Sequence, residues 1–397
     1  MEEKEMKNMK RILAVMLSLT MVFTMAGCGG SDSASTDSAE TATTDTADDA
    51  AATDDAAADD TAADDTAADD TAADDTAADD AAADSGSDST AADDVKNTGD
   101  VISVGFAQVG AESDWRMANT QSMQDTFTEE NGYQFEMVDA QQKTENQITA
   151  IRDFITKGVD YIVLAPNTET GWETVFGEAK DAGIPVIIVD RMVDISDDSL
   201  YAAWVGSDFK TEGINAAKWL ADKLDEVGRG DEDINIVTLQ GTMGSSAQLG
   251  RTEGFGEVAK EHSNWTILDQ QSGDFTEEKG QEVMESFLKS YDDIDVVVSE
   301  NDNMSFGAVT AIEAAGKTVG VDGDIWLISF DATNQGFQYM IDGKINCDVE
   351  CNPLHGPRVA KIILQMEAGE TPEKIAYVDE QVFDASVAEE VLPSRAY

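Results

Sequence analysis

The chain has 397 residues, with 81 acidic against 25 basic side chains and a formal net charge of −56 at pH 7. That balance excludes nucleic acid as a partner, because gripping phosphates takes a basic surface. With only two histidines and three cysteines and no EF-hand-like loop, no metal or other cofactor is implied.

The chain opens on a targeting pattern. Lys10 and Arg11 supply positive charge, Ile12 to Phe23 an apolar run too short for a comfortable membrane span, and Met25-Ala26-Gly27-Cys28 small residues at a cleavage point. The segment 1–28 is similar to a bacterial lipoprotein signal, which implies lipidation of Cys28 and a membrane held through that lipid; an ordinary signal peptide with an incidental cysteine is the alternative. Met25 stands where Leu is usual. Glu2, Glu3 and Glu5 sit where signals are normally basic, so Met1 and Met9 both stand as possible starts.

Residues 29–98 read as a disordered acidic tether. From Gly29 to Asp94 there are 22 acidic residues and no basic ones, and Thr61 to Asp80 is four copies of TAADD. A period of five fits neither helix nor strand, and without large apolar side chains nothing offsets the ordering entropy. Such a coil spans roughly 45 Å, more when its charges repel. Removing signal and tether leaves a net of −35 from Val95 onward.

Beyond the tether the pattern alternates. Val101 to Ala107, Tyr161 to Ala165, Val186 to Val189, Ile234 to Leu239, Val296 to Val298 and Trp326 to Phe330 have the length of buried parallel strands. Helical periods lie at Gln147 to Lys157, Trp172 to Ala182, Thr211 to Leu224, Ala247 to His262, Thr276 to Leu288 and Met304 to Ala315. Repeated βαβ units predict an α/β fold with parallel sheets, whose ligands sit beyond the carboxyl ends of the strands. Cys347 and Cys351 fall four apart on a predicted strand, too far for a local disulfide, and read as buried thiols.

The strand ends carry Trp115 and Arg116, Asp190 and Arg191, Arg251, Phe275, Asn301 with Asp302, and Asp331. Hydroxyl groups both donate and accept, so carboxylates, guanidinium groups and amides satisfy a sugar, and Trp115 and Phe275 offer faces for its apolar side. Each residue also has a plainer reading: a turn salt bridge for Asp190 and Arg191, a solvated helix residue for Arg251, core for Phe275, a helix N-cap for Asn301 or Asp302. Recurrence at successive strand ends favours a polar cleft with aromatic walls.

Through VGFAQVGAESDWR, DAQQKTENQI, TGWE, EAKDAGIPV, IVDR, LQGT, RTEGF, QSGDFT, KGQEVMESF, END and ISFD, the stretch Val101 to Tyr397 resembles the type I periplasmic sugar-binding proteins of ABC transporters, in the ribose-binding class and its galactofuranose-binding branch. The resemblance implies two Rossmann-like lobes joined by a three-segment hinge, the N-terminal lobe at 99–206 plus 353–378 and the C-terminal lobe at 207–352 plus 379–397. It implies that Trp115, Arg116, Asp190 and Arg191 meet the ligand from the first lobe, and Arg251, Phe275, Asn301 and Asp331 from the second lobe and hinge. Gln141, Gln142 and Lys143 match the galactofuranose-type pattern as contacts or as the cleft edge. Around NCDVECNPLHGP, Cys351 replaces the glutamine of the ribose-binding pattern, leaving Glu350 and Asn352 open.

The function implied is a monomer, outside the cytoplasm and lipid-anchored to the cell membrane, that hands a monosaccharide to a permease driven by a cytoplasmic ATPase. The chain has no GxxxxGK[ST] loop of its own. A sensory or chemotaxis role with the same domain is the alternative. Glycoside hydrolysis by Asp190 and Asp331 is disfavoured on the expectation that neighbouring arginines keep both acids ionised. A lac-type repressor needs an N-terminal DNA-reading motif where this chain carries a signal and an acidic tract.

Overall fold

The computed structural model describes residues 95–320 and 322–397; the signal, Cys28 and the acidic tract to Asp94 lie outside the described residues. Two six-stranded sheets form two lobes. The first uses β1 (Ile102–Gln108), β2 (Tyr133–Asp139), β3 (Tyr161–Leu164), β4 (Val186–Val189), β5 (Ala203–Gly206) and β11 (Ile375–Tyr377), in the order β11-β5-β4-β3-β1-β2. The second uses β6 (Ile234–Gln240), β7 (Trp265–Ser272), β8 (Val296–Ser299), β9 (Trp326–Asp331), β10 (Cys347–Glu350) and β12 (Val382–Asp384), ordered β12-β10-β9-β8-β6-β7. Every pairing is parallel except β10 with β12.

The central strands are continuous apolar runs because helices cover both faces of a parallel sheet. YIVL of β3, VIIV of β4 and VVVS of β8 are buried along their whole length. The helices are α1 (Asp114–Thr126), α2 (Thr144–Lys157), α3 (Glu173–Asp181), α4 (Phe209–Glu226), α5 (Ser246–Ala259), α6 (Glu277–Ser290), α7 (Asp302–Ala314), α8 (Asn334–Ile341), α9 (His355–Glu367) and the short α10 (Ala388–Val391). Side chains of Ser113, Asp208, Ser245, Thr276, Asn301 and Thr333 cap α1 and α4 to α8, accepting from first-turn N–H groups that lack an intrahelical partner. Five of these caps follow a strand of their own sheet, so polar chemistry gathers at the carboxyl ends of the strands.

Three segments cross between the sheets: after β5, between β10 and α9, and between β11 and β12. Glu380 ties them together. Its Oε1 accepts from Ser207 Oγ at 2.6 Å and from Asn352 N at 2.7 Å, one partner on each of the other two crossings. The lobes also touch directly. Asp114 N donates to Asn303 Oδ1 at 2.9 Å, Gln142 Nε2 to the Asp274 carbonyl at 3.2 Å, Glu169 N to the Gly244 carbonyl at 3.0 Å, and Met192 N to Ser246 Oγ at 2.8 Å. Bonds on so many sides of the cleft define a closed form.

Several details differ from the sequence reading. Val95 to Asn97, placed with the tether in the sequence, pack on the first lobe: Val95 is buried in its core, the Val95 carbonyl accepts from Tyr133 Oη at 3.0 Å, and Asn97 Nδ2 donates to the Gly132 carbonyl. Trp115 and Arg116 sit on α1, which the sequence reading did not name; α1 buries Arg116, Asn119, Ser122 and Thr126 beside Trp115 and Met123, so polar side chains interrupt the apolar period of its inner face. Cys347 and Cys351 are free and buried. Among the described residues, no helix is long and apolar enough to cross a membrane.

Candidate functional site

A small cavity lies between the lobes, and all eight residues singled out from the sequence line it. Trp115, Arg116, Asp190 and Arg191 come from the first lobe; Arg251, Phe275, Asn301 and Asp331 come from the second. None is more than 4 % exposed. Glu112, Ser113, Phe209, Ala247 and Cys351 complete the wall.

On the first-lobe side, Arg116 is the hub. Its Nη2 donates to Asp190 Oδ2 at 2.7 Å and its Nε to Glu112 Oε1 at 3.0 Å, while the guanidinium lies 4.6 Å from the Trp115 ring centre. Burial lowers the Arg116 pKa, but the two carboxylates overcome that and hold it above its ordinary value. Burial alone would raise the Asp190 carboxyl; Arg116 and Arg191 reverse this and hold it below the usual carboxylate range. Asp190 itself turns the chain in the left-handed region, at φ 63°.

Arg191 is placed differently. Its Nη1 donates to the Asn167 carbonyl at 3.1 Å, but its carboxylate neighbours stand off, Glu112 at 3.8 Å and Asp190 at 4.0 Å. Burial, with Arg116 adding repulsion, pushes its pKa down to about 10. The guanidinium stacks 5.0 Å from the centre of Phe275, a second-lobe residue held at φ 62°. A Cβ at Gly241 would collide with the Phe275 ring, so glycine there makes room for the aromatic wall.

The second lobe repeats the theme. Arg251 Nε donates to Glu212 Oε2 at 2.6 Å, its Nη1 to the Glu300 carbonyl, and its Nη2 lies 3.6 Å from Asp331 Oδ1. Asn301 is the N-cap of α7, accepting from Met304 N at 3.0 Å, and its Nδ2 donates to the Phe275 carbonyl at 3.2 Å. The cap reading and the cavity placement therefore both hold. Glu300, with Oε2 accepting from Gly241 N at 2.7 Å and Oε1 from Thr252 Oγ1 at 2.5 Å, is pushed up to about 8 by burial.

Asp331 corrects an expectation. Arg251 was expected to keep it ionised, yet burial, aided by Asp302, Glu212 and Asp190, outweighs that arginine and pushes the carboxyl well above its ordinary value. Its backbone is left-handed at φ 109°, which turns the side chain out of β9 into the cavity. The arginine that approaches it does so at 3.6 Å, longer than a hydrogen bond.

Glu112, Glu212 and Phe209 were not singled out as site residues. Glu212 acts through Arg251, 39 positions away, and no local pattern marks that partner; Glu112 stands four residues before Arg116, a spacing open to sequence reading, and also lines the cavity itself. Gln142 lies at the cleft edge, bonded across to Asp274. Around Cys351, the backbone matters: its carbonyl accepts from Trp115 Nε1 at 2.6 Å. Glu350 turns away, paired with Arg395 at 2.6 Å. Donor atoms of Glu212, Cys351 and Glu380 lie within 4.8 Å of one another behind the cavity. Glu212 is committed to Arg251 and Glu380 to the hinge; burial raises both carboxyls, and Glu212 adds repulsion at Glu380.

Two parallel-sheet lobes, three crossings and a polar cavity at the facing strand ends define a bilobal ligand-binding protein. Residues 104–355 match the periplasmic binding protein domain family, and the chain belongs to that family. It is 40 % identical over 298 residues to the galactofuranose-binding protein YtfQ of Escherichia coli (strain K12), covering 74 % of this chain and 91 % of that one. A crystal structure from Mycobacterium smegmatis in complex with β-D-fucofuranose superposes with a TM-score of 0.71 at 44 % identity, covering 74 % of this chain and 94 % of the other. The binding component of the arabinose ABC transporter from Shewanella sp. ANA-3, bound to α- and β-L-arabinofuranose, gives 0.70 at 40 % identity, with 74 % and 95 % covered.

Proposed function

We propose that this chain is an extracytoplasmic solute-binding protein that closes over one monosaccharide in its furanose form and delivers it to the permease of an ABC transporter. The observation that carries the reading is the unspent polar capacity in a closed, buried cavity. Among the described residues, Arg191 on one lobe engages its donor fork at Nη1 alone, and the arginine nearest the Asp331 carboxyl on the other stands off at 3.6 Å. A hydroxyl can accept from the first and donate to the second, so one small polyol would hold the lobes together. The Phe275 and Trp115 rings supply faces for its C–H side. The furanose preference is supported by relatives at 40 % identity or more whose ligands are furanoses.

In this reading the lobes are 99–206 with 353–378 and 207–352 with 379–397, and the eight cavity residues are the ligand contacts. A lipid on Cys28 and the acidic tract would keep a monomer near its permease while leaving it free to turn. Closure changes which surfaces of the two lobes lie side by side, and that difference lets a permease favour the loaded form.

A thermal-shift panel tests the proposal. L-arabinose, D-galactose, D-fucose, D-ribose and D-fructose each equilibrate with some furanose in water, and a specific ligand raises the midpoint by mass action. A shift with one or more of the first three, and none with myo-inositol, is the expected pattern. A panel without any shift would remove the sugar reading.

A further inference from the structure

Behind Asp331, away from the cavity, two acids are buried together. Asp302, at the start of α7, accepts from Ser329 Oγ at Oδ1 (2.6 Å) and from both Thr333 N (2.9 Å) and Thr333 Oγ1 (2.6 Å) at Oδ2. Asp348, in β10, accepts from Ala332 N at Oδ1 (3.0 Å), and its Oδ2 meets no protein donor although it is fully buried. A Cβ at Gly336 would collide with Asp302 Oδ2 and Asp348 Oδ2 together, so those two oxygens face one another across a space only glycine leaves open. The pair therefore grips the turn that aims Asp331. That turn is strained, with Asp331 at φ 109° and Ala332 at φ 55°, both in the region that side-chain-bearing residues avoid.

Two adjacent carboxylates at zero exposure, without a cation bonded to either, would repel each other strongly. A single proton removes that repulsion and satisfies the orphan oxygen. Asp302 already accepts at both oxygens, so the acid that donates is Asp348. We propose that Asp348 keeps its proton at neutral pH and donates it from Oδ2 to Asp302, making the two a positioning pair for Asp331 in ligand binding. The inference rests on Asp331 being a ligand contact, as proposed above. Burial raises both carboxyls; Asp302 raises Asp348 further, while the hydrogen bond from Asp348 works downward on Asp302, in keeping with one shared proton held by Asp348. The other ionisable groups facing the pair are Asp331 on β9, Cys347 on β10 and Arg395 from the C-terminal segment, whose Nη2 donates to the Ala332 carbonyl at 2.8 Å. Since the pair's affinity for its proton is raised on folding, the stability it confers is full at acid pH and lost as pH rises through the folded value.

Three variants of the full chain test this: Asp348→Asn, Asp348→Ala and Asp302→Asn. Asparagine at 348 keeps the acceptor for Ala332 N and replaces the shared proton with an amide donor that does not titrate. Asparagine at 302 keeps an acceptor for the Thr333 donors only with its NH2 turned to Ser329 Oγ, and it removes the anion that holds the shared proton. Titrated calorimetrically with L-arabinose at pH 7, Asp348→Ala is expected to bind about tenfold or more weakly, and Asp348→Asn to recover affinity to within about threefold, with Asp302→Asn no better than the alanine variant. Asp348→Asn should also flatten the alkaline fall in the ligand-free melting temperature. Infrared spectra of protein labelled with 13C-aspartate should show one protonated carboxyl fewer at pH 7 in Asp348→Asn than in wild type. If Asp348→Ala does not fold, the contrast between the two asparagine variants still decides. Equal behaviour of those two, or an unchanged carboxyl band, overturns the shared proton. Wild-type protein that binds none of L-arabinose, D-galactose and D-fucose, while Asp348→Asn loses the band, leaves the pair standing and sinks its role in ligand positioning.

Discussion

A guanidinium offers a fork of N–H donors, and at Arg191 the protein engages the fork at one point, Nη1 to the Asn167 carbonyl. Arg191→Ala therefore removes donors that the fold does not use. If about two of them meet sugar hydroxyls as charge-assisted bonds of about 1.5–3 kcal/mol each, the variant loses about 3–6 kcal/mol, or roughly 10²- to 10⁴-fold in affinity. The ligand-free fold should pay little. Glu112 keeps Arg116 at 3.0 Å and Asp190 keeps it at 2.7 Å, so neither acid is stranded, and burial of Arg191 already opposes its charge. Its melting temperature should stay within about 3 °C of wild type. Calorimetric titration beside a melt of the ligand-free variant reads both quantities. Undiminished affinity would refute the assignment of Arg191 to the ligand; a collapsed melting temperature would refute the claim that its donors are spare.

Arg116→Ala should behave in the opposite sense, because it strands the buried carboxylates of Asp190 and Glu112; a loss of about 3–5 kcal/mol is expected in chemical denaturation. Glu300, pushed up to about 8, confers stability that is complete below its ordinary value and lost as pH rises through about 8, so the melting temperature should fall between pH 6 and 9 and Glu300→Gln should blunt that fall. Asn303→Ala deletes the acceptor for Asp114 N across the cleft, and small-angle scattering of the ligand-free protein should show a shift toward an open, larger form. Growth with a fatty-acid probe should label the wild-type protein and leave Cys28→Ala unlabelled.

The central strands were legible because a doubly covered parallel strand must be apolar throughout, as VIIV of β4 and VVVS of β8 are. Edge strands were not. β2 alternates exposed and half-buried positions, and β11 and β12 are three residues each, which leaves too few apolar positions to read. The cavity residues were legible as polar or aromatic side chains at strand ends, where an α/β fold gathers its ligand. What holds them was hidden. Glu212 to Arg251, Asp348 to the turn after Asp331, and Glu380 to Ser207 and Asn352 are pairings made by the sheet order, and no spacing along the chain encodes them. The upward shift at Asp331 has the same origin, since burial that outweighs a neighbouring arginine is a property of the assembled site.

The most direct test of sugar capture is native mass spectrometry of the purified wild-type protein with each sugar of the panel. One bound monosaccharide per chain is expected for at least one of L-arabinose, D-galactose and D-fucose, recovered chemically unchanged when the protein is denatured. No adduct with any sugar, or recovery of an altered product, would contradict it.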